Sequence, residues 1–166
     1  MAVNIAKARP SDAGELLAFL KQIGGETDNL SFGKEGVPFT EEAEAAYLAQ
    51  LEHSSDSILL VARDDGRIVG NASLNRHPRR MSHRGEISVA VAQSHWNRRI
   101  GNALMMELLD FARENAFEIL ELQVRSDNYS AIHLYEKFGF TKLCTYPGFL
   151  KLGEQWIDFD FMCLTL

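Results

Sequence analysis

The chain has 166 residues, 46% apolar and 24% charged, with 23 acidic against 17 basic side chains for a net charge of −6. That is the size and balance of one compact folded domain, residues 1–166. The acidic excess argues against a nucleic-acid partner, which favours a basic surface, and no apolar run approaches the ~20 residues that a membrane-spanning helix needs.

The first residues, Met1 to Ile5, lack the apolar core of a secretion signal, so a cytoplasmic location is expected. Residues 3–8 read as a strand. Ser11 or Asp12 caps a helix carrying Leu16, Leu17, Leu20 and Ile23, which Gly24 and Gly25 are expected to end. A loop covers 26–39. Thr40 caps a second helix, with Glu41 and Glu42 in its first turn and Tyr47, Leu48 and Leu51 facing inward. Ser57 to Arg63 and Arg67 to Leu74 read as strands joined by Asp64-Asp65-Gly66, a hairpin signal.

A basic run follows: Arg76, His77, Arg79, Arg80, His83 and Arg84. A solvated loop is its simplest reading; an anion-substrate site and a cover for a cofactor are the others. Gly85 to Val91 is an apolar strand. Ile100, Leu104, Leu108 and Phe111 then fall at i, i+4, i+8 and i+11, an amphipathic helix reaching about Asn115. Phe117 to Val124 is the next strand, parallel to its predecessor through that helix. A short helix runs from Asn128 to Gly139. Phe140 to Tyr146 and Ile157 to Leu164 close the sheet as an antiparallel pair around Gly148 to Gln155. Cys144 and Cys163 lie in these apolar-rich strands and read as buried free thiols, not a disulfide or metal site. The order β-α-α-β-β-β-α-β-α-β-β implies a mixed, mostly antiparallel sheet with helices on both faces. No G-x-G-x-x-G follows the first strand, which excludes a doubly wound dinucleotide fold.

Two segments carry chemistry. Arg98-Arg99-Ile100-Gly101-Asn102-Ala103 opens the amphipathic helix. A helix start offers unpaired N–H groups and the positive end of the dipole, an anion site. Gly101 and Ala103 keep bulk away from the backbone, and Arg98 and Arg99 add charge-assisted hydrogen bonds. The second segment, Asn128 to Phe140, reads N-x-x-A-x-x-L-Y-x-K-x-G-F. Asn128 is an N-cap type and Gly139 suits a left-handed helix stop. Asn128 and Tyr135 share nearly one face, ~10 Å apart along the axis, so they suit two parts of one extended ligand.

In this order and spacing the two segments resemble the GNAT superfamily of N-acetyltransferases: its R/Q-x-x-G-x-G/A loop and its C-terminal motif. Arg9-Pro10, Ile68-Val69-Gly70 and the tail Asp158 to Met162 also suit it. The resemblance implies a single-domain α/β GNAT-like fold with a V-shaped splay between the two central parallel strands. It implies acetyl-CoA as cosubstrate, lying in that splay, with no metal. Val89 and Val91 would offer backbone contacts to the pantetheine arm and residues 98–103 would hold the pyrophosphate. Asn128 would contact the pantetheine, cap its helix, or both. Lys137 would reach the nucleotide phosphates or stay solvated. Tyr135 would serve the departing thiolate. Relatives often read W-G-x-G-I-G before the helix; here Asn97 and Arg99 replace the first two glycines.

The reaction implied is direct attack of an amine on the thioester, with a backbone N–H such as that of Val89 for the oxyanion. The leading base is Glu86, whose ordinary pKa of ~4.3 would need raising by burial; His83 is the alternative. Glu26 and Asp28 would bind a cationic amine or merely punctuate a loop. The acceptor, a small molecule or a protein amino group, is not specified. The apolar tail strand, with Phe159, Phe161 and Met162, offers an edge for a homodimer. The competing reading is an acyl-CoA-binding sensor or interaction module without turnover.

Overall fold

The computed structural model describes residues 3–166. Seven strands form one sheet: β1 (Asn4–Lys7), β2 (Ser57–Asp64), β3 (Arg67–Arg76), β4 (Arg84–Val91), β5 (Ile119–Arg125), β6 (Thr141–Leu152) and β7 (Gln155–Thr165). Their spatial order is β1-β2-β3-β4-β5-β7-β6, and among the described residues only β4 and β5 run parallel. The four helices are α1 (Ala13–Glu26), α2 (Glu41–Leu51), α3 (Ile100–Glu114) and α4 (Tyr129–Lys137). The mixed α/β architecture with helices on both faces is as expected.

Strand alternation divides the core. Leu60, Ala62, Ala72, Leu74, Ile87, Leu120 and Leu122 point to the face covered by α3 and α4, packing on Leu104, Met105 and Leu108. Val61, Ile68 and Ala92 point the other way, against Leu16, Phe19 and Ile23 of α1 and Leu48 of α2. The second layer covers only the β1 side of the sheet. On β5, Glu121, Gln123 and Arg125 alternate with buried Leu120, Leu122 and Val124, so that strand's other face carries polar groups instead of a helix.

Three expectations need correction. Gly24 and Gly25 do not end α1, which continues to Glu26. Gly24 is instead a point of close approach: a Cβ there would lie 2.0 Å from the carbonyl oxygen of Gly33. The strands β6 and β7 do not stop around 148–155. They continue through an irregularity between Tyr146 and Leu150 and turn beyond Leu152. Pro147 lacks an N–H for the ladder and Gly148 takes φ +64°, so the ladder skips them and resumes at Leu150. The cysteines are not buried: Cys144 is exposed on the edge strand and Cys163 is half-buried.

The two glycines of α1 yield opposite predictions. Gly24→Ala is expected to lower stability in urea unfolding by about 1–3 kcal/mol, the cost of overpacking. In Gly25→Ala the new methyl meets only Lys34 Cβ, at 3.5 Å, and helix propensity adds up to about 1 kcal/mol. Equal effects at both positions would show that the 27–39 loop does not press on the helix.

Candidate active site

The parallel ladder between β4 and β5 is short. Arg84 pairs with Ile119, Gly85 with Leu120 and Glu86 with Glu121, and there the pairing ends. Meanwhile β4 stays paired to β3 as far as Val91, and β5 stays paired to β7 as far as Arg125. The two strands therefore part like a V whose apex is Glu86 and Glu121. Ala92 donates its N–H to Val69 of β3 at 2.8 Å. By strand alternation, Val91 and Val89 turn their N–H and C=O groups the other way, into the V. Trp96 Nε1 donates to Val91 O at 2.8 Å. The remaining groups of this edge face a cleft of about 610 Å³.

The N-terminus of α3 opens into the same cleft. No side chain caps it, whereas Thr40 caps α2 through Ala43 N and Asn128 caps α4 through Ala131 N. The first N–H groups of α3 therefore remain available to an anion. The approach to this helix is strained: Asn97 and Arg99 both have φ +61°. Asparagine tolerates this left-handed region, but arginine does so at a cost of about 1–2 kcal/mol. Gly101 has a second role, because a Cβ there would lie 3.1 Å from Leu134 of α4. It lets the two helices close around the cleft.

Helix α4 delivers the phenol. Gly139, at φ +93°, ends the helix with its N–H on Glu136 O at 2.9 Å, and Phe140 N–H reaches back to Tyr135 O at 3.1 Å. This is a Schellman stop, and it packs the Phe140 ring 6.1 Å from that of Tyr135. The loop before α4 is also tied down. Asp160 of β7 accepts hydrogen bonds from Ser126 Oγ at 2.7 Å and Thr145 Oγ1 at 2.8 Å. Burial pushes the Tyr135 phenol up to about 12, so it is a hydrogen-bond donor throughout the neutral range.

A polar cluster occupies the opposite face of the sheet at the apex of the V. Glu86 accepts from Gln123 Nε2 at 3.3 Å, across the point where the strands part. Glu121 accepts from Arg84 and is hydrogen-bonded to His77 Nε2. Burial raises the Glu121 pKa, but the Arg84 and His77 hydrogen bonds outweigh it and hold the carboxyl below its ordinary value. Ligand atoms of His77, Glu86 and Glu121 all lie within 4.8 Å of one another. Arg84 already supplies a fixed positive charge to Glu121, which disfavours a metal cation there.

A family model described as the acetyltransferase (GNAT) family matches residues 26–140. The chain belongs to the GNAT family. It is 29% identical over 110 residues to the L-amino acid N-acyltransferase MnaT of Escherichia coli (strain K12), a match covering 65% of this chain and 64% of that protein. It is 37% identical over 83 residues to the N-alpha-acetyltransferase RimI of Mycobacterium tuberculosis, covering 49% of this chain and 51% of the relative. These matches span less than two thirds of either relative's length. A GNAT acetyltransferase structure from Streptococcus pneumoniae superposes with a TM-score of 0.95 at 29% identity, covering 99% of this chain and 100% of that one.

Of the residues expected in the GNAT cofactor site, Val89, Val91, Arg99, Ile100, Gly101, Asn102, Asn128 and Lys137 line one cleft together with Tyr135. Arg98 and Ala103 are not in its lining. The Arg98 guanidinium turns back to the β2–β3 hairpin, 2.9 Å from Asp64, which also takes His95 at 3.2 Å. Ala103 uses its N–H for the first helical bond, to Arg99 O. Glu86 lies at the apex on the other face, while His83 lies at the zipped end, its carbonyl accepting from Glu118 and Ile119. Glu26 lines the cleft, but its carboxylate already holds Gln93 N–H and Gln22 Nε2, both at 2.8 Å. Asp28 is exposed.

Glu121 and Gln123 were not expected at this GNAT site, and His77 was placed only within the basic run. The alternation of Glu121, Gln123 and Arg125 in a central strand was the available signal for an open polar face. In the basic run, Arg76 is neither solvated nor an anion ligand: it stacks 3.8 Å over the Phe117 ring and pairs with Asp56 at 2.8 Å.

Arg99→Gly should raise stability by about 0.5–1 kcal/mol, since the left-handed strain relieved exceeds the added unfolded-state entropy. Arg99→Ala, which keeps the strain, should gain nothing in the same urea titration.

Proposed function

We propose that this protein is an acetyl-CoA-dependent N-acetyltransferase, residues 1–166 forming one N-acetyltransferase domain, in which a primary amine attacks the thioester directly. The observation that carries this reading is the convergence on one cleft of an unpaired β4 edge, an uncapped helix N-terminus and a buried phenol. An extended amide-containing arm matches the first, a pyrophosphate the second, and a departing thiolate the third. The two curated relatives are named for acylating an L-amino acid and an α-amino group. They differ in acceptor but share amine chemistry.

Val89 and Val91 would pair through their backbones with the pantetheine amides, and residues 99–102 would receive the pyrophosphate on their N–H groups. Arg99 contributes charge there, and Arg98 contributes through its backbone. Lys137, exposed at the far end of α4, suits the nucleotide phosphates. The amine arrives from the Glu86 side of the sheet and the thioester from the Tyr135 side. Tyr135, at about 12, hydrogen-bonds the thiolate instead of transferring its proton completely, since a thiol's ordinary value is ~8.5. The acceptor is a small molecule or a protein amino group. Among the described residues no helix is long and apolar enough to cross a membrane. A cytoplasmic location and pairing of two copies along the β6–β7 arm belong to the same reading.

Acceptor-dependent thiol release across a panel of primary amines is the direct measurement. Saturable release supports the enzyme; tight acetyl-CoA binding in calorimetry with no release from any amine would favour a sensor. Within the enzyme reading, Tyr135→Phe is expected to retain acetyl-CoA affinity while kcat falls roughly 10-fold or more. Undiminished kcat would remove its role toward the thiolate. Arg99→Glu should weaken acetyl-CoA binding by about 10-fold or more, the scale of one charge-assisted hydrogen bond. Unchanged affinity would detach the phosphates from this helix end.

A further inference from the structure

Glu86 stands at the apex of the V, and an imidazole belongs to the same cluster. His77 (on the residue after β3), Arg84 and Glu86 of β4, and Glu121 and Gln123 of β5 all project from the same face. The registers show this: Asn75 opposes Glu86, and Glu86 opposes Glu121. The His77 backbone is fixed by its N–H on Arg84 O at 3.0 Å. Its ring Nε2 is fixed by Glu121, and Glu121 is fixed in turn by Arg84. Asn75, beside His77 on β3, takes a hydrogen bond from Tyr47 of α2 at 3.3 Å. The charged and titratable groups facing the His77 ring are therefore Glu86, Glu121 and Arg84, with Tyr47 one residue removed. The imidazole retains 26% side-chain exposure, an exit to solvent.

Resting on the acetyltransferase reading, we propose that His77 is a positioning and proton-relay residue: it receives, through Glu86, the proton that the acceptor ammonium must lose. Glu121 holds the ring in the orientation that allows this. When Glu121 accepts from Nε2–H, Nδ1 is left as the free basic nitrogen. One ring nitrogen of His77 and one carboxylate oxygen of Glu86 lie within 4.8 Å of each other, a span that a single water bridges. The balance is as follows. The ammonium gives one proton to the Glu86 carboxylate, which passes it to His77, and His77 releases it to solvent. The freed nitrogen lone pair forms the C–N bond, and the C–S bond breaks with its electron pair on sulfur. The second proton on nitrogen leaves with the thiol.

The experiment follows thiol release between about pH 6 and 10 with an amine that the wild type accepts. It compares the wild type with His77→Gln, which keeps a donor for Glu121, and with Glu121→Gln. His77→Gln is expected to lose about 10–100-fold in kcat at neutral pH. With an α-amino acceptor, whose ordinary pKa is ~8, it should approach the wild type near pH 10, where that amine is itself largely unprotonated, with KM for acetyl-CoA unchanged. Added imidazole should restore His77→Ala at neutral pH. Glu121→Gln should show a smaller loss of the same shape. A wild-type pH profile in His77→Gln would overturn the relay, as would a uniform loss at every pH without imidazole rescue. Those outcomes leave the acetyltransferase reading standing. Failure of the wild type to turn over any amine overturns that reading and the relay with it.

Discussion

Backbone hydrogen bonding at the β4–β5 boundary is the constraint on which the rest of the molecule depends. A peptide group removed from water must find a partner, yet the ladder stops at Glu86 and Glu121 while both strands continue. The outer neighbours make this stable: β3 holds β4 to Val91 and β7 holds β5 to Arg125. Each strand is thus secured on one side and open on the other. The insertion of β7 between β5 and β6 is essential here, because a hairpin attached only at the edge would leave β5 without that second support.

The cleft also concentrates local conflicts. The helix α3 lacks a capping side chain, although α2 and α4 both have one. Arg99 sits in a left-handed conformation that an arginine adopts only at a cost. Both features reduce the stability of the free protein, and the first favours an anion because it leaves N–H groups unpaired. Gly101 and Gly139 serve packing as well as conformation, one admitting Leu134 and the other bringing Phe140 onto Tyr135.

Much of this was legible in the residues. Period 3.6 from Ile100 to Phe111 located α3, and the Asn128…Gly139 pair bracketed α4, because caps and stops are local chemistry. The Gly24-Gly25 pair misled because a glycine serves either to break a helix or to let backbone approach, and only the distant Gly33 distinguishes the two. Gly148 to Gln155 read as a loop, since a ladder that resumes after a bulge leaves no local trace. The direction of Arg98 depended on Asp64, 34 positions away, and the contact of His77 with Glu121 joins residues 44 positions apart. Long-range pairs of this kind are set by register between strands, and a register shift of one residue would have placed His77 on the other face.

The splay also explains why acid and base functions can be drawn from opposite faces of one sheet. In a closed ladder, Tyr135 on the α4 side and Glu86 on the other side would be separated by a continuous layer of hydrogen-bonded backbone. Where the ladder opens, a thioester lying in the gap would, on the proposed reading, be reached from both faces. On that reading the amine would approach from the Glu86, Glu121 and His77 side without crossing the α3–α4 core, and the thiolate would depart beside a phenol that burial keeps protonated. The aromatic group on β6 and β7, with Phe149 4.7 Å from Phe159 and Tyr146 stacked 6.0 Å from Phe161, borders this approach. Phe161 opposes Gln123 in register, so the polar apex and the aromatic wall are adjacent rows of one surface. An acceptor on this surface would meet carboxylates at its amine and apolar rings at its body, with the amine nearest the apex because the carboxylates of Glu86 and Glu121 stand there.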